Sequence, residues 1–390
     1  MKKKHILAAL VCAFMLSGCS SDAVDNHKQG LALFNQGKYD QAAQYFLKSV
    51  AENNGAGSYY VDLGMNYIKL SDYTNAKDAF DHAISLKDSD ELAYRGIGIM
   101  YYEQGKYDEA IEYFNKAIDE VELSVGELET DILEYRGEAE FGAKSYEAAA
   151  KTFDTLVKLG VDVSDNNLKA GRANLYMGQE KLAADYFDKA LNAASDKVMA
   201  YFFIYNAYKE CSLMDKGHEF LNRALEVEGT SSLDHLNRGK IYYILGNYPA
   251  AITELSYPLA DNDPEAALYC AFCYEEQEDY AKACELYLKS LEIKNDPVTA
   301  NYYACCLSKN GDNNHAWNVV HTAMENFPDC EIMQELKWNE IILYEKLEMY
   351  PSALARLQEY QKAYPDDTQI EAELSFLILK QNISGDNSND

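Results

Sequence analysis

The sequence of 390 residues has few basic side chains: 35 lysines and arginines stand against 64 aspartates and glutamates. The formal net charge is −29. A surface of this sign repels phosphate backbones and anionic lipid, which argues against nucleic-acid binding. We expect basic or neutral partners, although keeping a long chain soluble explains most of the charge.

Common catalytic and phosphate-binding motifs are also missing. The sequence has no His-Glu-x-x-His spacing of a zinc protease, no Gly-x-Ser-x-Gly elbow and no glycine-rich phosphate loop. No pair of carboxylates stands out from the general acidity. We therefore predict that the protein is not an enzyme and that it needs no cofactor.

Long apolar runs are absent as well. The run from Ile6 to Leu16 has eleven residues, whereas a transmembrane helix needs about 20. It follows three lysines at positions 2 to 4 and ends in Leu16-Ser17-Gly18-Cys19. A basic start followed by a short apolar core is typical of a secretory signal peptide.

The sequence Leu16-Ser17-Gly18-Cys19 resembles the bacterial lipobox, in which a peptidase cuts before the cysteine and the cysteine thiol carries a diacylglyceryl group. The resemblance implies a signal peptide over 1–18, a lipidated Cys19 and a short flexible tether over 19–26. Two or more acyl chains hold a protein firmly at a membrane. We expect a lipid anchor on the extracytoplasmic face of the cell membrane, or of an outer membrane if the cell has one. An ordinary signal peptide with a chance cysteine is the alternative.

A repeat organises the rest of the chain. Its clearest copy has Gly105, Tyr107 and Ala110, followed by Phe114 and Ala117. The tyrosine position recurs at intervals of 32 to 39 residues, most of them 34, and a small residue follows it three positions later. The positions equivalent to the tyrosine are Tyr39, Tyr73, Tyr107, Tyr146, Glu180, Met214, Tyr248, Tyr280, Asn313 and Tyr350.

This pattern resembles the tetratricopeptide repeat, whose 34-residue unit is a helix–turn–helix. The resemblance implies an all-α fold, a right-handed superhelical solenoid of about ten units over residues 27–367. In the second helix of each unit, helix B, residues such as Ala76, Phe80 and Ala83 share one face. Gly64 on the first helix, helix A, lets the two helices approach closely.

Two irregular joints interrupt the repeat. The interval between repeats three and four is five residues longer, around Ser124 to Glu129, and Pro258 stands inside helix B of repeat seven, where it should kink or shorten the helix. We expect sub-blocks of about 27–124, 130–263 and 264–367. A capping helix is predicted over 368–382. Its apolar excess is a candidate contact for a partner or for a second copy of the chain, or belongs simply to an apolar cap. A disordered tail is predicted over 383–390.

The cysteines after Cys19 leave several interpretations open. The pairs Cys270/Cys273 and Cys305/Cys306 fall in helix A of adjacent repeats, where small buried residues are normal. No tight turn presents their sulfurs, which argues against a thiolate metal site. Disulfides in an exported protein and free buried thiols both fit the sequence.

The resemblance also implies where partners bind, because helix A lines the concave face of tetratricopeptide superhelices. The lysine and asparagine clamp of chaperone-binding repeats is absent, since His27 and Leu31 occupy the matching positions. Aromatic, methionine and arginine side chains are enriched in binding surfaces. The candidate groove residues are Phe34, Met65, Arg95, Ile99, Tyr102, Phe141, Arg172, Tyr176, Phe202, Lys240, Tyr243 and Phe272.

Three functions follow from these features. The first is a membrane-anchored scaffold of the bacterial cell envelope that holds a peptide or helix of another envelope protein in the groove. A surface solute- or glycan-binding lipoprotein is the alternative, although Trp317 and Trp338 lie late in the chain with no shared platform. Homo-oligomerisation through the C-terminal helix is the third.

Overall fold

A computed structural model describes residues 20–121 and 126–386. The described part contains 21 α-helices and no strand, which confirms the all-α fold. In chain order the helices are α1 (Ser20–Phe34), α2 (Tyr39–Glu52), α3 (Gly57–Lys69), α4 (Tyr73–Leu86), α5 (Asp90–Glu103), α6 (Tyr107–Glu120), α7 (Glu127–Gly142), α8 (Tyr146–Lys158), α9 (Val163–Tyr176), α10 (Glu180–Ala193), α11 (Lys197–Glu210), α12 (Met214–Ala224), α13 (Ser232–Ile244), α14 (Tyr248–Ala260), α15 (Pro264–Glu276), α16 (Tyr280–Ile293), α17 (Pro297–Lys309), α18 (Asn313–Asn326), α19 (Met333–Lys346), α20 (Tyr350–Ala363) and α21 (Ile370–Asp386).

Odd-numbered helices from α1 to α19 are the A helices, and even-numbered helices from α2 to α20 are the B helices. Every B helix begins at one of the ten positions equivalent to the repeat tyrosine. Two residues before each start, the backbone adopts a left-handed conformation, which ends the A helix. At Gly105 the turn is closed by the Lys106 amide, which donates to the Tyr101 carbonyl at 2.9 Å. The left-handed residues are Gly37, Ser71, Gly105, Lys144, Gly178, Ser212, Gly246, Glu278, Gly311 and Glu348.

Aromatic rings on B helices pack directly against glycines of the neighbouring A helices, as Phe80 shows. Phe80 on α4 is fully buried between Gly64 on α3 and Gly96 on α5. A Cβ atom would lie 2.6 Å from the Phe80 ring at Gly64 and 2.3 Å from it at Gly96. Real Cβ atoms do not approach so closely, so glycine at both positions makes room for the ring.

The chain divides into two compact units, Met1–Met214 and Asp215–Asp390. In unit 1, a core of small and aromatic residues runs through the helix pairs from α1 onward. In unit 2, Tyr287, Val320 and Leu357 lie in the cores between α15 and α21. This boundary differs from the predicted joints near Ser124 and Pro258, and the three sub-blocks stay a prediction.

Pro258 lies buried inside α14, which ends two residues later at Ala260. With 13 residues, α14 is one residue shorter than α16. The B helix α8, which has no internal proline, also has 13 residues, so α14 is not shorter than other B helices because of Pro258. The other predicted joint falls partly on residues 122–125, outside the described part of the chain.

Both ends of the described chain are more helical than we expected. The stretch 20–26, interpreted as a flexible tether, forms the first turns of α1. Ala23 is 1% exposed there, and the Asn26 amide donates to Glu52 Oε2 at 3.0 Å. Residues 383–386, expected to be disordered, continue α21, which is anchored by the fully buried Leu377. The signal peptide 1–18, Cys19 and residues 387–390 lie outside the described residues.

A carboxyl pair joins the terminal helix to the last repeat. Glu345 on α19 and Glu373 on α21 face each other, and the buried Oε1 atom of each has no other hydrogen-bond partner among the described residues, so a proton on one carboxyl can bridge the two. Burial first, and then the hydrogen bond and charge of Glu373, raise the pKa of Glu345 from 4.5 to about 8. A proton on Glu345 is therefore part of this contact.

We expect the contact between α19 and α21 to weaken with rising pH. Because the folded-state pKa of Glu345 is raised, the stabilisation is greatest below 4.5 and declines as the pH climbs to about 8, where Glu345 loses its proton. Above that pH two carboxylates repel each other. Hydrogen exchange in α21, corrected for the intrinsic rate, should show more frequent opening at about pH 9 than at about pH 6. Glu345→Gln should flatten this difference, and equal opening in the unsubstituted chain would contradict the expectation.

Candidate partner-binding surface

Ionic side chains join neighbouring A helices within each unit. The pairs connect helices two apart in the chain, which places successive A helices side by side. In unit 1 the pairs are His27–Asp62, Arg95–Asp131, Lys169–Glu138 and Arg172–Glu210. In unit 2 they are Lys240–Glu265 and Lys309–Glu275. We call the surface formed by these helices in each unit the A-helix face.

In unit 1, several side chains make close contacts around Phe141. The rings of Phe141, Tyr146 and Tyr176 lie 4.8 to 5.2 Å apart between centroids. The Arg172 guanidinium lies over the Phe141 ring at 4.4 Å. It also donates to both carboxylate oxygens of Glu210 at 2.8 and 3.1 Å. We call these five residues the Phe141 cluster.

The Phe141 cluster is fixed before any partner arrives. The Tyr176 hydroxyl donates to Glu210 Oε2 at 3.1 Å, so the same carboxylate holds both the arginine and a tyrosine. Burial, followed by the hydrogen bond to Glu210, raises the pKa of Tyr176. An arginine held by a carboxylate and stacked on a ring loses little freedom on binding, which favours affinity.

Tyr102 belongs to a neighbouring group. Its ring lies edge-on to Tyr107 at 5.8 Å and to Tyr135 at 6.1 Å. Tyr135 lies under the guanidinium of Arg95 at 5.5 Å. The Tyr107 ring also packs on Gly142, where a Cβ atom would lie 2.7 Å from it. Tyr102 and Phe141 are therefore linked through Tyr107 and α7.

A second aromatic group lies on the A helices of unit 2. Phe272 on α15 lies 5.7 Å from Tyr243, 5.5 Å from Tyr269 and 5.1 Å from Tyr302 between ring centroids. We call these four residues the Phe272 cluster. Burial raises the pKa of Tyr243 to about 12, so its hydroxyl stays a donor at neutral pH. Tyr302 is 42% exposed and is the open edge of the cluster.

The remaining candidates have varied surroundings. Phe34 packs edge-on against Tyr39 at 5.4 Å, and Met65 packs half-buried against the core of unit 1. Phe202 lines a cavity of about 620 Å³. Lys240 lies 5.4 Å from the Tyr269 ring centroid.

Ile99 does not belong to an open surface. Its side chain is 3% exposed and lies in the core of unit 1. The prediction that it lines a groove is wrong, because the A helices pack tightly enough to cover this position.

Tyr135, Tyr269 and Tyr302 were not among the predicted residues. Each lies eleven residues before one of the ten positions equivalent to the repeat tyrosine, so the three residues occupy the same position in their repeats. The shared register was visible in the sequence and could have identified them. Glu210 carries no comparable signal, because acids are frequent throughout the chain.

The seven described cysteines are free thiols. Burial raises the pKa of Cys270 and of Cys273 to about 12, so both stay protonated. The sulfurs of Cys284 and Cys306 lie 3.3 Å apart in the core. Within the described ranges, no three His, Cys, Asp or Glu side chains meet as a metal site would require. No described helix is long and apolar enough to cross a membrane.

Comparison with known proteins agrees with these repeats. Family models described as tetratricopeptide repeat match residues 26–54, 61–125 and 271–297. A TPR repeat-containing protein of Methanocaldococcus jannaschii is 25% identical over 281 residues, which cover 71% of this chain and 44% of that protein. The chain thus spans less than half the length of this curated relative.

Solved structures give similar matches. The structure titled as a functional characterisation of Pseudomonas aeruginosa pilF is 15% identical, with a TM-score of 0.43, and covers 56% of this chain and 96% of that one. YrrB, described as a TPR protein with an unusual peptide-binding site, is 19% identical with a TM-score of 0.38 and covers 46% and 91%. Repeats of this kind form scaffolds for protein–protein interaction. With ten A/B helix pairs in one register and these family matches, the chain is a tetratricopeptide-repeat protein.

Proposed function

We propose that the A-helix face of unit 1 holds an extended peptide or a helix of another envelope protein. The observation that carries this proposal is the Phe141 cluster, in which one carboxylate holds an arginine and a tyrosine, and both pack against a phenylalanine. Buried aromatic and arginine side chains dominate the energy of protein interfaces. The affinity comes mainly from burying these rings, and the role is one of binding, without catalysis.

The proposed location is the surface of a membrane, with Cys19 as the lipidated residue. The support is the sequence of the first 19 residues, with its basic start, short apolar core and lipobox-like end. The net charge of −29 fits partners that are basic or neutral. The solenoid would then stand on the membrane and present its A helices to proteins of the envelope.

Glycan binding is the weaker alternative. Sugar-binding sites of this type use the open face of an aromatic ring, and tryptophan is the usual residue. Trp317 stacks on His321 at 4.8 Å, and Trp338 lies against Tyr360 at 5.3 Å. The two indoles thus have different neighbours and share no face.

Replacing Tyr102 and Phe141 together by alanine should weaken partner capture at least about tenfold, since truncating a central aromatic residue of an interface costs about 2 kcal/mol or more. The measurement is crosslinking in the native cell, with the captured protein identified and quantified for each variant. Far-ultraviolet circular dichroism should show unchanged helicity.

A matched control replaces Leu47 and Leu182, which are exposed on B helices of the same unit. This control should capture the partner as well as the unsubstituted chain. Capture that survives the loss of both Tyr102 and Phe141 would count against binding on the A-helix face.

A further inference from the structure

A pocket of about 270 Å³ opens in unit 2, away from both aromatic clusters. It lies between the B helices α18 and α20 and is closed on a third side by α19. The residues that matter here are His321, Met324, Lys337, Glu340, Arg356 and Tyr360. Because two B helices line it, this pocket is separate from the A-helix face.

A buried carboxylate points into the pocket without a hydrogen-bond donor. Glu340 is 4% exposed, and its Oε1 atom has no hydrogen-bond partner among the described residues. The other buried carboxylate, Glu140, accepts a hydrogen bond from Thr152 at 2.7 Å. A buried charged oxygen without a donor is costly, so the Oε1 atom of Glu340 needs an explanation. The same holds for the buried carboxylate oxygens of Asp90, Glu345 and Glu373.

The two side chains nearest the Glu340 carboxylate, Arg356 and His321, do not supply a close donor. Arg356 Nε is 3.5 Å from Oε2 of Glu340, and His321 Nδ1 is 3.5 Å from Oε1, both longer than a good hydrogen bond. A different nitrogen of Arg356, Nη1, donates to Glu359 at 2.7 Å. His321 Nδ1 and Oε1 of Glu340 both lack a hydrogen-bond partner among the described residues at this distance, so Oε1 can accept from an outside donor that approaches more closely than His321 does.

The walls of the pocket restrict the chemistry of that donor. An anion would meet the buried carboxylate, which favours a neutral or cationic ligand. A cation also meets Arg356 and Lys337. However, Arg356 is paired with Glu359 at 2.7 Å, and the Lys337 ammonium lies 5.5 Å from the Tyr364 ring centroid.

Met324 and Tyr360 offer apolar surface beside the carboxylate, and Trp317 backs the wall by stacking on His321 with an interplanar angle of 12°. A carboxylate at the base of the pocket and apolar walls above it fit a ligand with a positively charged group at the end of a hydrocarbon chain.

We propose that this pocket binds an alkylammonium group, whose ammonium donates to Oε1 of Glu340 while its methylene chain lies against Met324 and Tyr360. The group could belong to a free primary amine or to a lysine side chain of a partner protein. The acidity of the whole chain raises the local concentration of either.

Trp317 provides a built-in reporter. The chain has two tryptophans, and a Trp338→Phe background leaves Trp317 as the source of the indole signal. The full chain in this background is titrated with 1,5-diaminopentane for the free amine and with Nα-acetyl-lysine methylamide for the lysine side chain. The neutral controls are 1,5-pentanediol and Nα-acetyl-norleucine methylamide. We expect a saturable fluorescence change with at least one of the two amines and none with the controls.

Glu340→Gln, which keeps the shape and removes the charge, should weaken amine binding at least about tenfold, because the amide oxygen accepts a weaker hydrogen bond from the ammonium than the carboxylate does. Glu325→Gln removes an exposed carboxylate at the same pocket and should change the affinity less than about threefold. If Glu340→Gln does not fold, Met324→Phe narrows the pocket without adding an indole and should weaken binding with Glu340 in place.

The outcome separates the two sources of the amine. Binding of the lysine derivative alone indicates a protein partner, and binding of the diamine alone indicates a free amine. The absence of a saturable change with both amines overturns the proposal and leaves water as the partner of Glu340. An equal loss in Glu325→Gln and Glu340→Gln also overturns it, because binding would then follow general acidity.

Discussion

Replacing Cys19 by serine is expected to move the protein from the membrane fraction to the soluble fraction. The diacylglyceryl group needs a thiol, and a serine hydroxyl does not replace it. Each buried methylene of an acyl chain contributes about 0.8 kcal/mol to membrane binding, so loss of two or more chains removes the anchor. The measurement is fractionation of cells after a high-pH carbonate wash, together with incorporation of labelled palmitate.

Cys12→Ser is the matched control for this experiment. Cys12 lies inside the apolar run from Ile6 to Leu16, seven residues before Cys19. A serine there leaves the run apolar enough to direct export, and the protein should stay anchored and labelled. If the Cys19→Ser protein remains in the washed membrane with its label, the lipobox interpretation is wrong.

The start of each B helix could be predicted because the turn before it requires a particular backbone conformation and a small residue at a fixed position. One residue must adopt the left-handed conformation, and a small residue must follow three positions into the helix so that helix A can approach. The left-handed residue is a glycine at Gly105, but it is a lysine, Lys144, at an equivalent turn. The repeat register therefore carried more information than any single glycine.

The surface was harder to predict, because it depends on how side chains of different repeats meet. Arg172 is a candidate from its repeat position, but its partner Glu210 lies 38 residues away among many other acids. Ile99 occupies the same repeat position as the half-buried Met65 and Arg172 and is nevertheless buried. Glu340 has no signal in the sequence at all, since only the packing of three helices leaves its Oε1 atom without a donor.

Phe80→Ala is expected to destabilise unit 1 by about 3–5 kcal/mol, the usual cost of removing a buried phenylalanine. The Phe80 ring is fully buried, and its two nearest walls are glycines with no side chain that could move into the space. The cavity should therefore stay open. Because repeats interact mainly with their neighbours, the loss should be largest in α3, α4 and α5. Hydrogen exchange measured helix by helix, with thermal unfolding, tests this.

Gly96→Ala provides the matched test of the same contact. With Phe80 in place, the methyl group added by Gly96→Ala would lie 2.3 Å from the Phe80 ring. Overpacking of this kind costs about 1–3 kcal/mol. In the Phe80→Ala background that clash disappears, and the alanine should instead stabilise α5 by up to about 1 kcal/mol through helix propensity. The effect of Gly96→Ala should therefore change sign between the two backgrounds. An equal cost of Gly96→Ala in the unsubstituted chain and in the Phe80→Ala background would show that Gly96 is needed for a reason other than making room for the Phe80 ring.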